Sequence, residues 1–174
     1  MHMDSVAITV RKLHPSGLAA IVALGVALAV SLPAAAAGDA KGSVIYKTRT
    51  ADLKYAYLVK GPDAVSKQTI RRLILSANDV SAKIAACKTM SCTDSDLTEG
   101  LSVNFDSGPR LNYWMVLNGQ KIQYSGTLKP EVLKTTADDA KRMAGKFVFD
   151  DTASGGPKVD VTFDAALVKE LSAP

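Results

Sequence analysis

Past His14 the sequence contains no histidine; the only two, His2 and His14, lie close to the amino terminus. Histidine is the side chain that most readily takes and gives a proton near neutral pH, and it is the commonest zinc and copper ligand. Its absence excludes Ser-His-Asp and Cys-His nucleophile pairs in their usual form, and metal sites built on imidazole. Glycine-rich phosphate loops of the G-x-x-x-x-G-K-[ST] or G-x-G-x-x-G type are missing as well, so no cofactor is expected. No segment repeats and none is of low complexity. After residue 37 there is no apolar run near the ~20 residues that a bilayer span needs.

What is there begins with an export signal. Arg11 and Lys12 precede an almost unbroken apolar run over residues 18–32, LAAIVALGVALAVSL. Pro33 breaks it, and residues 34–37 are all alanine. Basic, apolar and small-residue parts in that order mark a signal peptide, with cleavage expected after Ala37. The alternative is an uncleaved anchor, since residues 18–37 could span a membrane. The terminal alanines and the lack of a following basic cluster favour cleavage. The expected organisation is a signal peptide over 1–37 and a single domain over 38–174, periplasmic or secreted, with no stable membrane insertion after cleavage.

Removing Arg11, Lys12 and Asp4 takes Lys plus Arg from 21 to 19 and Asp plus Glu from 17 to 16, a net charge of +3. The two signs are interleaved, so the charge gives no nucleic-acid footprint, and no nucleic-acid partner is expected. Cys87 and Cys92 are the only cysteines. In an exported chain they are expected to form a disulfide.

Alternating apolar and polar residues dominate the rest. Residues 44–48, 52–60, 69–76, 101–106, 111–117, 121–128 and 158–165 read as strands. In 52–60, Leu53, Tyr55, Tyr57 and Val59 are expected on one face. Asn118-Gly119 is a strong hairpin signal. One short helix is expected near 79–88, capped by Asn78 or Asp79, with Val80, Ile84 and Cys87 as its apolar stripe. Residues 130–144 could be helix or hairpin. Thr135 and Thr136 are poor helix formers and Asp138-Asp139 suits a turn, so strands over 132–136 and 141–150 are predicted. Short strands with turn signals every 8 to 15 residues predict an antiparallel sandwich or barrel, of which the sandwich is the expected fold.

Residues 53–63 (LKYAYLVKGPD), 124–128 (YSGTL) and 144–167 (AGKFVFDD…GGPKVDVTFDAAL) resemble segments of small exported bacterial proteins of unknown function. The resemblance implies an immunoglobulin-like β-sandwich. It brings no catalytic residue with it.

The candidate chemistries follow. Cys87 and Cys92, as C-x4-C at a helix end, fit a structural disulfide better than a redox site. Met90, Met115 and Met143 lie on separate elements and make a poor copper site. Asp94, Asp96 and Glu99 lack the glycine and twelfth-position glutamate of a calcium loop. No metal site is predicted. Asp106, Asp150, Asp160 and Asp164 stand near strand ends and are the carboxylates available for glycan hydrolysis. Lys67, Arg71 and Arg72 are the one basic cluster. Tyr113, Trp114 and Tyr124 are the candidate ligand contacts, with Tyr113 and Trp114 on opposite faces of their strand. The expected function is a non-enzymatic binding or interaction module whose partner is a protein or glycan of the cell envelope. A carboxylate-based glycan or cell-wall hydrolase is the alternative, and a structural subunit of a surface assembly is a further one.

Overall fold

The computed structural model describes residues 37–117 and 124–172, and the expected signal segment falls almost wholly outside them. The chain runs β1 (Gly38–Tyr46), β2 (Arg49–Pro62), β3 (Thr69–Ser76), α1 (Ser81–Ala86), β4 (Gly100–Phe105), β5 (Leu111–Val116), β6 (Tyr124–Leu128), β7 (Leu133–Asp138), β8 (Arg142–Asp150) and β9 (Lys158–Glu170). It is mainly β with one short helix, as expected. The hairpin expected over 130–150 is present, and α1 buries Ile84 with Val80 and Cys87 beside it. Asn118-Gly119 and Ile122 lie outside the described residues; β5 and β6 on either side of them pair antiparallel.

All nine strands belong to one sheet, in the order β6-β5-β4-β3-β2-β1-β9-β8-β7. Laid flat, eight strand spacings would put β6 and β7 roughly 38 Å apart. Yet only residues 129–132 join them, and five Cα steps reach about 17 Å at most. The sheet therefore has to curl. Where β1 begins, β2 and β9 close on each other directly and in parallel, Leu58 opposite Leu167 and Lys60 opposite Glu170.

Inside the curl, alternate residues of most strands meet in one apolar core, to which β7 adds only the partly buried Leu133. Leu53, Leu73, Leu101, Tyr113, Phe147 and Val161 belong to it. A second, smaller core lies outside β2 and β3, where Tyr57, Val59, Ile70 and Ile74 are covered by Val80, Ile84, Met90 and Leu97 of the connection between β3 and β4. β3 is thus buried on both sides, as its dense Leu73-Ile74-Leu75 run predicts.

One expectation is overturned. Leu53 faces the inner core, whereas Tyr57 and Val59 face the outer one and Tyr55 packs against it. The alternation of β2 slips by one between Lys54 and Tyr55. The slip stands opposite a bulge, where Ala40 and Lys41 of β1 oppose the single Lys54. Bulges reset the facing of a strand in this way.

Candidate functional site

The connection between β3 and β4 forms a cap on the outer sheet face, and a disulfide ties it down. Cys87 and Cys92 are bonded, with Cα atoms 5.5 Å apart. The bond fixes the 3-10 turn Met90–Cys92 to the end of α1. Beneath it lies a buried polar network. Arg72 Nε donates to Asn104 Oδ1 (2.8 Å), and Arg72 Nη1 donates to the Met90 carbonyl (2.7 Å) and to Asp94 Oδ1 (2.9 Å). The Trp114 indole N–H donates to the other oxygen of Asp94, and the Arg72 guanidinium stacks 4.7 Å from the Trp114 ring. Burial pulls the Arg72 pKa down, opposed by the charge of Asp94. Removing the disulfide in a Cys87→Ala/Cys92→Ala variant should cost about 2 kcal/mol, because the loop it closes is short. The variant should fold, with a lower urea midpoint, and native protein should show no free thiol.

Trp114 therefore faces the cap, while Tyr113 points into the inner core, on the opposite face as predicted. Tyr113 and Tyr124 come together, with ring centroids 6.1 Å apart. Tyr46 stands 5.8 Å from Tyr124, whose hydroxyl donates to Asp151 Oδ2. Tyr113 is 1 % exposed, and its hydroxyl has no hydrogen-bond partner among the described residues. Burial, and then the charge of Asp151, push its pKa up. Of the three candidate contacts, only Tyr124 and Trp114 keep part of their surface in solvent.

The candidate carboxylates are spent on cations. Asp106 binds Arg71 (2.7 Å), Asp150 binds Lys158 (3.3 Å), Asp160 binds Lys146 (3.1 Å) and Asp164 binds Arg142 (2.6 Å). Asp164 is held below the ordinary carboxylate range chiefly by Arg142, and Asp150 chiefly by the Thr152 hydroxyl and amide. Asp94 belongs to the cap and Asp96 pairs with Lys83 (3.1 Å). Among the described residues no three His, Cys, Asp or Glu side chains gather as metal ligands. Met115 and Met143 lie in the inner core and Met90 in the outer one. The basic cluster disperses: Lys67 sits in a turn, Arg71 bridges Asp106 and Asp138 at one end of the curl, and Arg72 is buried on the other face.

A feature without a local sequence signal lies on the outer face of β7, β8, β9 and β1. Lys134 stands opposite Lys146, Lys146 opposite Thr162, and Thr162 opposite Lys41. Their neighbours Phe147 and Val161 point into the core, so this row points outward. It crosses an open slot of about 590 Å³, floored by Ala144 and Gly145 and flanked by Asp39 and Asp164. A Cβ on Gly145 would come 2.2 Å from the Lys134 carbonyl, so the floor at that point admits only glycine.

Compared with known proteins, the chain matches no family model, no curated protein and no solved structure.

Proposed function

We propose that this chain is an exported, non-enzymatic binding module of the periplasm or cell surface, and that it recognises an envelope component through the outer face of β7, β8, β9 and β1. The observation that carries the reading is the contrast between two sets of charges. The four carboxylates considered for hydrolysis each lie against a cation, and the two of them whose pKa is displaced are displaced downward. A general acid needs the opposite shift. Lys134 and Lys41, in contrast, have no ion-pair partner among the described residues. An assembly subunit would offer a long, flat strand edge; among the described residues the edge strands β6 and β7 have five and six residues, and β7 is bulged. The immunoglobulin-like sandwich enters the proposal only as an arrangement of two facing sheet halves. The strand order is a meander, without the Greek-key crossing of that family.

The test is cosedimentation of the purified protein with isolated envelope material, walls and membranes separately. Saturable binding is expected, with a loss of about tenfold in a Lys134→Glu/Lys146→Glu variant, since charge reversal places repulsion where attraction is proposed. Absence of binding to either fraction would overturn the reading. So would turnover of an envelope glycan that disappears on substituting one carboxylate.

A further inference from the structure

The lysine row is poorly explained by folding. Like charges directly opposite on neighbouring strands destabilise a sheet. Lys134 and Lys146 are such a pair, and among the described residues only Lys146 of the three lysines has a carboxylate within ion-pairing reach. Both flanks of the slot are bulged, β7 between Thr135 and Ala137 and β1 between Asp39 and Gly42. Gly42 has φ 146°, a backbone state open mainly to glycine, and a Cβ there would meet the Asp160 carbonyl at 2.1 Å. Bulges re-aim side chains and recur beside binding sites. Here they border the strip that carries Lys134, Lys146 and Lys41.

We propose that this slot binds an acidic polysaccharide, with its anionic groups on Lys134, Lys146 and Lys41 and its hydroxyls on the residues between. The inference rests on the binding-module reading above and supplies its ligand class. Strand geometry sets the spacing. Lys134 and Lys146 stand about 5 Å apart, and Lys146 and Lys41 about 10 Å apart across Thr162. That spacing suits anionic groups carried in succession along a hydroxylated chain. Thr136 and Thr162 line the slot as hydroxyl partners, and Asp39 offers a carboxylate acceptor for sugar hydroxyls, while Asp164 is held by Arg142. A deoxyribose-phosphate chain has no free sugar hydroxyls for these partners to meet, which separates this ligand from DNA. The low floor at Ala144 and Gly145 lets a ring approach the sheet.

Binding of the purified protein is measured against polygalacturonate for carboxylate, teichoic acid for phosphate, neutral dextran and a single-stranded DNA oligomer. Saturable, salt-sensitive binding is expected for at least one of the two acidic glycans, and the arm that binds identifies the anion. Dextran should not bind and DNA should bind more weakly. Lys134→Ala/Lys146→Ala and Lys41→Ala should each weaken glycan binding about tenfold. Lys88→Ala, outside the slot, should leave it unchanged. Melting temperatures of the slot variants should be unchanged or raised, because a repulsion is removed. Binding to neither acidic glycan, binding to DNA at least as tight, or slot variants with full glycan affinity would each overturn the proposal. If envelope cosedimentation still depends on Lys134 and Lys146 while both acidic glycans fail, the ligand class is wrong and the binding-module reading stands. If cosedimentation is absent too, both fall.

Discussion

Replacing Arg72 with methionine is expected to lower the unfolding free energy by about 3–5 kcal/mol, the range for breaking a buried ion pair from one side. Both partners are shielded, with side-chain exposures of 7 % for Arg72 and 8 % for Asp94. Without the guanidinium, Asp94 keeps the Trp114 N–H but loses its counter-charge, and the Met90 carbonyl and Asn104 Oδ1 lose a donor. Asp94→Leu should cost a similar amount for the converse reason, an unpaired buried cation. The Arg72→Met/Asp94→Leu double variant should recover much of the loss, because neither charge is then stranded. Urea midpoints of the four proteins close this cycle. Single variants that each cost less than about 1 kcal/mol would show that the cap is held by its apolar contacts and disulfide alone.

The same cycle separates architecture from recognition. The cap covers the outer face of β2 and β3, whereas the lysine row crosses β7, β8, β9 and β1. Weakening the cap should move the urea midpoint without changing envelope binding, provided the assay is run well below that midpoint.

Local alternation was enough to read much of this fold. β3 occupies the expected residues, and Phe147, Phe149, Val159, Val161 and Phe163 point inward as their spacing implies. The closure of the sheet was not legible. It depends on β9 finding β1 and on the short link between β6 and β7, which are long-range facts that no window contains. The slip in β2 was hidden for the same reason, since a bulge shows only once its partner strand is known. Arg71 and Arg72 look like one basic patch, yet the alternation of β3 already separates them. Arg72 shares its parity with Ile70 and Ile74 and Arg71 with Leu73 and Leu75, so alternation puts them on opposite faces, but which of the two is buried depends on the cap that covers Arg72. Lys134 and Lys146 face each other across one hairpin, whereas Lys41 comes from the first strand, far back in the chain. Only the register of four strands puts them, with Thr162, in one row.

Alkali should unfold the domain through two tyrosines. Tyr57 is fully buried, and burial followed by its hydrogen bond to Asp79 pushes its pKa well above the ordinary value. Its hydroxyl donates to Asp79 Oδ1 (2.8 Å) and accepts from the Val80 amide (3.0 Å), which fastens the start of α1 to the sheet. Tyr113 is raised mainly by burial in the inner core. In the unfolded chain both ionise near pH 10. A raised folded pKa therefore contributes stability that is complete below about pH 10 and is lost as pH climbs toward the folded value. Each tyrosine removes up to about 1.4 kcal/mol per pH unit in that interval, enough for the pair to exhaust a typical margin of stability within a few units. Near-ultraviolet absorbance should show a late tyrosine step that coincides with loss of the β-sheet circular dichroism. Tyr113→Phe removes a buried hydroxyl that has no hydrogen-bond partner among the described residues, so it should leave neutral-pH stability unchanged or improved and shift the alkaline midpoint upward. Tyr57→Phe loses two hydrogen bonds and should cost about 1–2 kcal/mol at neutral pH, while making the alkaline limb less steep. Ionisation of all five tyrosines before any change in the sheet signal would show that neither hydroxyl is held in the core.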